Sequence, residues 1–238
     1  MFLNQFFLYF IYYIMIFIII LIIFFLIFIY FSPKILDKKF YTVEETYPEL
    51  NKIYDNLEIY KNEVNELINQ KLWIDWVERY LWDFNGANWK IIPLFGFGVT
   101  IKKNCDKCPK LIKFLKSIPG VKLAILSKTT PGTILQDHRG WGNHSNNVLR
   151  CHFGFKVPKN CFVNVGDNKD SNREIRYHQQ DKWLIFDDSK WHFSGNNSNE
   201  ERVVLILDIE RPKNVKKGTS QVVDSKELIE IINYFKKK

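Results

Sequence analysis

The sequence predicts a mainly β domain, an antiparallel sandwich or barrel with flanking helices, preceded by one N-terminal transmembrane helix. Three observations carry this reading. The 238 residues include 34 Lys and Arg and 26 Asp and Glu, yet none of these charges falls within the first 33 positions. Seven runs of strand length follow one another in the second half, punctuated by Gly, Asn, Asp or Pro and by no helical stretch. Between these two parts, apolar residues recur at helical spacing among Glu and Lys.

The anchor comes first. From Phe6 to Phe31 there are 26 consecutive residues drawn only from Phe, Ile, Leu, Met and Tyr. At about 1.5 Å per residue this spans roughly 39 Å, more than the ~30 Å hydrocarbon core of a bilayer, so a tilted single-pass helix is expected. A cleaved signal peptide would need a basic start, a shorter apolar core and a small-residue cleavage site, and this stretch has no Ala, Gly or Lys. Residues 1–33 are therefore read as the anchor, meeting the bilayer through residues 6–31. Lys34, Lys38 and Lys39 follow it and no charge precedes it, a bias that favours the cytosol for the remainder of the chain.

Residues 34–98 form a juxtamembrane and helical region. Helical spacing runs from Val43 to about Trp82 through Leu57, Tyr60, Val64, Leu67, Leu72, Trp76 and Tyr80. The turn-rich NGANWKIIPLFGFG, Asn85 to Gly98, ends it. The β domain is placed at 99–212. It opens with a second helix, CPKLIKFLKSIPG, stopped by Pro119-Gly120, and continues through the runs LAILSKT, GTILQDH, NVLRCHFGFKVP, CFVNVGD, REIRYHQ, KWLIFDDS and RVVLILDIE. Residues 213–238 are a basic tail whose SKELIEIINYF reads as a helix packed outside, opened by Asp224 or Ser225 as N-cap.

Composition excludes several classes. Seven Trp, all beyond the anchor, argue against disorder. Four Cys are too few for a disulfide scaffold, and the Cys105–Cys108 pair lacks the second pair of a zinc ribbon. Of the net charge of +8, the tail from Lys213 to Lys238 supplies half, with 7 Lys against 3 acids. Such a terminal fringe beside an anchor suits anionic lipid or solvent better than bases, so no nucleic acid is expected.

Five His are present. His138 ends GTILQDH and His192 follows KWLIFDDS. Period-2 alternation puts Arg150, His152 and Gly154 on one face of their strand, and Arg202, Val204 and Ile206 on one face of theirs. A partly buried guanidinium at Arg202 needs an anion. Together these suggest a metal with an anionic co-ligand. Hydrogen-bonded structural His, and a rim pairing of Arg202 with Glu200 or Glu210, are the bland alternatives.

The ordered motifs S…PGT…H-R-G, L-R-x-H-x-G, F-D-D-S…H and R-x-x-L-x-x-D, from about Trp89 to Pro212, resemble the aspartyl/asparaginyl β-hydroxylase family of Fe(II)/2-oxoglutarate dioxygenases. The resemblance implies a double-stranded β-helix, or jelly roll, in agreement with the strand runs. It assigns His138 and His192 to the two iron-ligand positions, and Ser127, Arg150, His152 and Arg202 to 2-oxoglutarate. Gly140 stands where a facial-triad carboxylate would be, as in the family itself, and leaves a place for water as third ligand. The implied reaction turns C–H into C–OH, consuming O2 and 2-oxoglutarate and releasing succinate and CO2. Asp187 and Asp188 are expected to shape the turn before His192, and His144 to lie in an exposed loop or to line the substrate channel.

The helical repeat domain of the animal hydroxylases has no counterpart before the barrel, so the substrate does not transfer: a protein Asp or Asn side chain and a lipid acyl chain both stay open. A non-enzymatic jelly-roll binding module is the rival class, disfavoured because both His and both Arg are present. A zinc hydrolase would need a third ligand and a Glu base. The family's animal members face the ER lumen, against the charge bias of the anchor. Two glycosylation sequons, at Asn143 and Asn196, bear on the same choice.

Overall fold

The computed structural model describes residues 2–31, 34–82, 84 and 86–237. Pro33, the expected end of the anchor, and Asn85, the expected start of the turn-rich segment, lie outside the described residues, as does Lys238. The chain divides into two units, Met1–Leu36 and Asp37–Lys238. The first holds one helix, Phe2–Phe31. Its window Phe10–Ile27 is long and apolar enough to cross a membrane, and none of that window is buried inside the protein.

The second unit is built on antiparallel strands. In chain order these are β1 (Phe40–Tyr41), β2 (Ile74–Asp75), β3 (Trp89–Gly96), β4 (Val99–Thr100), β5 (Val121–Thr129), β6 (Val148–Lys156), β7 (Cys161–Gly166), β8 (Arg173–Tyr177), β9 (Trp183–Phe186), β10 (Trp191–Asn196) and β11 (Arg202–Glu210). The larger sheet runs β1-β9-β6-β11-β5-β3-β2, with β4 against β3, and the smaller runs β10-β7-β8. Side chains from both sheets line one inner chamber, which makes the fold the double-stranded β-helix that the sequence implied.

Strand sequence follows strand position. β11 lies between β5 and β6 and is buried from Arg202 to Ile209. It therefore reads as a nearly unbroken apolar run whose two polar members, Arg202 and Asp208, share the inner face. At the opposite extreme, β8 is the edge of the small sheet, and its Arg173, Glu174 and Arg176 blunt that edge with charge. The C-terminal helix Lys226–Lys236 starts where expected, with the Ser225 hydroxyl accepting from Leu228 N. It does more than pack outside: Leu228 and Ile231 are buried in the same apolar cluster as Trp89, Val204 and Ile206.

Four local expectations are corrected. The helical spacing from Val43 to Trp82 is broken into a short helix Val43–Thr46, a 3-10 stretch Pro48–Asn56 and a helix Leu57–Ile68. Pro48 brings no N–H to a continuous helix, and beyond Asn69 the chain extends to pair β2 with β3. Leu72, Trp76 and Tyr80 thus leave the helix; Trp76 stacks instead on Trp89, with ring centroids 4.8 Å apart. The turn-rich segment contains β3, which tolerates Pro93 because the register shifts there. GTILQDH forms no ladder strand but runs beside β10 as isolated bridges, with Leu135 N donating to Ser194 O at 2.8 Å. β10 itself, Trp191–Asn196, lies outside the seven strand-length runs.

Asn196, the last residue of β10, is fully buried. Its amide donates to the carbonyls of Thr129, Thr130 and Glu200, and its carbonyl accepts from the Ser198 hydroxyl. Removing it strands several buried carbonyls, so Asn196→Ala is expected to cost about 2–4 kcal/mol, read as a lowered midpoint in tryptophan-monitored unfolding. Asn143, by contrast, is exposed. Of the two sequons in the folded protein, only Asn143 is open to an oligosaccharide, and a mass shift lost in Asn143→Gln would report it.

Candidate active site

The site begins with a two-way backbone bridge. His138 N donates to His192 O at 2.9 Å, and His192 N to His138 O at 2.8 Å. This sets the two imidazoles side by side, tilted by 53° with centroids 4.3 Å apart. His138 Nδ1 lies 2.7 Å from Gln136 O, and His192 Nδ1 lies 2.9 Å from Lys190 O. A carbonyl only accepts, so both Nδ1 atoms carry the proton and both Nε2 atoms are bare. Burial holds both rings neutral, with His138 down to about 3 and His192 to about 4. Two neutral imidazoles with bare Nε2 atoms, each oriented by a carbonyl, form a donor set suited to a divalent metal. Among the described residues no cluster of three or more His, Cys, Asp and Glu is set to hold one, so the pair is a two-ligand arrangement.

Gly140 and Asp188 explain why there is no acid at the triad position. A Cβ on Gly140 would come within 1.9 Å of Asp188 Oδ2. The space that a side chain at 140 would need is filled by the Asp188 carboxylate, whose Oδ1 stands 3.3 Å from His192 Nε2. Asp187 does what the sequence suggested: its Oδ1 accepts from Ser189 N and Oγ, closing the turn, while Arg211 grips both its oxygens. Asp188 goes beyond turn formation, because it faces the histidine pair. Asp137 points away and pairs with Arg173 at 2.9 Å.

Behind the pair lies a narrow chamber of about 30 Å³, lined among others by Ser127, Arg150, His152 and Arg202. All six residues expected to form the site therefore meet in one place. They are not equivalent. Arg150 is occupied by protein carboxylates: Nε and Nη2 donate to Asp208 at 2.8 and 2.9 Å, and Nη1 lies 2.5 Å from Asp188 Oδ1. Burial opposes its charge, and these two acids more than restore it. Asp208 also takes His144 Nε2 at 2.8 Å. Burial would raise its carboxyl, but Arg150 and His144 hold it well below the usual range. His144 thus sits in a short helix, Gly142–Ser145, held against Asp208, and does not line this chamber.

Arg202 is the opposite case. It is 2 % exposed, and neither Nε nor Nη1 has a hydrogen-bond partner among the described residues. Neither Glu200 nor Glu210 pairs with it; they meet Lys156 and Lys122. Burial lowers its pKa to about 10, which still leaves it charged at neutral pH. A buried guanidinium with two donors unpartnered among the described residues, in one chamber with a serine and a histidine, is chemically suited to a carboxylate.

Sequence reasoning gave no role to Trp89, His178, Asp208 or Glu78. Trp89 Nε1 donates to Ser127 Oγ at 2.9 Å, and His178 Nε2 sits 2.9 Å from His152 Nδ1. Asp208 closes the R-x-x-L-x-x-D motif, which was the available signal. Glu78, held by the Trp76 indole and the Tyr80 hydroxyl, is raised mainly by burial and lies within electrostatic reach of Asp188 and Arg150. It comes from the segment that helical periodicity misassigned. A roomier cavity, about 640 Å³, lies elsewhere, lined in part by His144 and Arg211, and neither His138 nor His192 lines it.

A jelly roll with two inward imidazoles and a buried cationic pocket defines the oxygenase-like class of this fold. The model of the aspartyl/asparaginyl β-hydroxylase family matches residues 54–212, and the chain belongs to that family. The match starts upstream of the quoted motifs and takes in Trp76 and Glu78. An ornithine lipid ester-linked acyl 2-hydroxylase of Rhizobium tropici is 37% identical over 129 residues, 53% of this chain and 43% of that protein. Aspartate beta-hydroxylase domain-containing protein 2 of Xenopus tropicalis is 33% identical over 156 residues, 60% of this chain and 40% of that one. The match thus spans about two fifths of these curated relatives. Among solved structures, a Trichoplax adhaerens prolyl hydroxylase in complex with a hypoxia inducible factor peptide fragment aligns at TM-score 0.47 and 13% identity, over 69% of this chain and 88% of that one.

Two outcomes follow from this geometry. Gly140→Ala forces Asp188 and Ser145 apart and is expected to cost about 1–3 kcal/mol by overpacking, measurable by denaturant titration. His138, His152, His178 and His192 are all held below their ordinary value by burial. Their unfolded forms take up protons first, so stability present above pH 6.5 drains away as pH falls from 6.5 toward 4. Unfolding midpoints across that window should fall steadily; a flat profile would contradict the neutral assignment.

Proposed function

We propose that the chain is a membrane-anchored Fe(II)/2-oxoglutarate-dependent hydroxylase that converts a substrate C–H to C–OH. The observation that carries this is Arg202, a buried cation with two idle donor atoms, in the same chamber as two bare Nε2 atoms. His138 and His192 would hold the metal, while Ser127, His152 and Arg202 would hold the dicarboxylate. When bound, the iron and 2-oxoglutarate supply the oxidation of the C–H bond by O2, with release of succinate and CO2.

The protein's own part is positioning and charge. The carbonyls of Gln136 and Lys190 keep both imidazoles turned inward. Arg202 would neutralise a carboxylate of the bound dicarboxylate, and Ser127 would give it a hydroxyl proton because the Trp89 indole already fills one of its acceptor sites. Arg150, held by Asp188 and Asp208, sets the potential at the histidine pair and keeps Asp188 as the nearest anion to it. Asp188 Oδ1, which lacks a hydrogen bond of good geometry among the described residues, is placed to accept from a water bound beside His192.

The substrate is read as either a protein Asp or Asn side chain or a lipid acyl chain. The lipid reading is supported by the higher identity to the ornithine lipid hydroxylase and by the apolar helix Phe2–Phe31, which would keep the domain at a bilayer. The facing side of the membrane stays tied to the exposed sequon at Asn143.

Binding to the native state alone stabilises it. With Fe(II) present under nitrogen, 2-oxoglutarate at a hundredfold its Kd is expected to add about 2.7 kcal/mol to wild-type stability, and Arg202→Ala should abolish the response. Oxygen-dependent succinate release should disappear in both His138→Ala and His192→Ala. Release that survives either change would overturn the ligand assignment.

A further inference from the structure

Resting on the 2-oxoglutarate reading above and extending it to a residue outside the family motifs, we infer that His178 is a positioning residue: it donates its Nε2 proton to His152 Nδ1 and thereby fixes His152 Nε2–H as a hydrogen-bond donor to the bound carboxylate. His178 follows β8 directly, and its backbone N is tied to Cys161 O at 2.8 Å, so the β7–β8 pair carries it. Its ring lies nearly parallel to that of His152, at 10°, with His152 Nδ1 and His178 Nε2 2.9 Å apart. Both residues are buried, at 5 % and 6 % exposure. The remaining atoms, His152 Nε2 and His178 Nδ1, have no partner among the described residues.

Two neutral rings share one proton across that contact, and it has two possible homes. If His152 Nδ1 holds it, His152 Nε2 is a lone pair turned toward the carboxylate, and the contact is repulsive. If His178 Nε2 holds it, His152 Nε2 carries its own proton into the chamber and joins Arg202 and Ser127 as a third donor. The second arrangement also leaves His178 Nδ1 as a bare lone pair, the favourable state for a ring nitrogen under the influence of the Arg202 cation, the leading charge acting on His178. No carboxylate reaches either ring among the described residues, so no acid competes for the proton.

The same device appears twice in this chamber. Trp89, which can only donate, leaves Ser127 with a proton to give; His178, donating, leaves His152 with one. Ser127 and His152 are each set as a donor by a neighbouring ring N–H.

The test uses the full chain in neutral detergent, labelled with 15N at histidine and loaded with diamagnetic Zn(II). Long-range 1H–15N correlation should show His152 protonated at Nε2 and bare at Nδ1, and His178 protonated at Nε2, with or without 2-oxoglutarate. A His152 protonated at Nδ1 in the complex overturns the inference. Equilibrium dialysis of radiolabelled 2-oxoglutarate gives the second readout. His178→Phe, which keeps a ring but no donor, should weaken binding about tenfold, the loss of roughly one buried hydrogen bond. His178→Gln, whose amide N–H falls near the lost Nε2–H, should stay within about threefold of wild type. Equal affinity for wild type and His178→Phe, or no rescue by Gln, overturns it as well. If the wild type binds no 2-oxoglutarate, the functional reading fails, and the tautomer measurement alone decides whether His178 sets His152.

Discussion

Two backbone hydrogen bonds, exchanged between His138 and His192, hold the centre of the molecule together. They join a segment too irregular to be a strand to the edge of the small sheet, and they do so at the two residues whose side chains must converge. Everything nearby is arranged around that junction. Asp187 closes the turn that delivers His192, the carbonyls two residues before each histidine aim the rings, and Gly140 gives up its side chain so that the next carboxylate can approach. A side chain mistake at any of these points displaces one of the paired imidazoles, because the backbone junction ties the two residues directly together.

A single strand carries the electrostatic plan. On the inner face of β11, Arg202 and Asp208 stand six residues apart, roughly 20 Å along an extended chain, with Val204 and Ile206 between them. At one end Asp208 is saturated, gripped by Arg150 and His144. At the other, Arg202 has no counter-charge among the described residues. Burying a charge in this way is costly unless an anion completes it, and the contrast between the two ends separates a cation held by protein carboxylates from one that is not. Arg150 and Arg202 look interchangeable as two arginines on inner strand faces; their partners separate them.

Much of this was legible in the sequence. Period-2 alternation grouped Arg150 with His152 and Arg202 with Ile206, and the registers Asp208 to Arg150 and Ile206 to His152 bear that grouping out. Strands bounded by turn residues were readable wherever the sheet supplies a polar and an apolar face. Reading failed where tertiary contacts override local pattern. Trp76 and Tyr80 follow the spacing of a helix but are held in extended and 3-10 chain by stacking on Trp89 and by the buried Glu78. β3 was hidden by Pro93 and by flanking glycines, since a bulge that admits proline leaves no mark on composition. Asp188 and His178 were out of reach for a different reason: their roles depend on which atoms they face across the barrel, and single-chain spacing contains nothing about that.

Asn196 imposes a constraint on the order of events during synthesis. Its carboxamide ends up inside the protein, tied to three carbonyls contributed by segments on either side of it in the chain. Before those segments close, it is an ordinary sequon. In a compartment that transfers oligosaccharides to nascent chains, closure of β10 onto β7 and sugar transfer would compete for the same nitrogen. A molecule modified there first could not bury the residue and would be lost to quality control. One side chain thus makes the speed of barrel closure a condition for yield wherever such an enzyme is present.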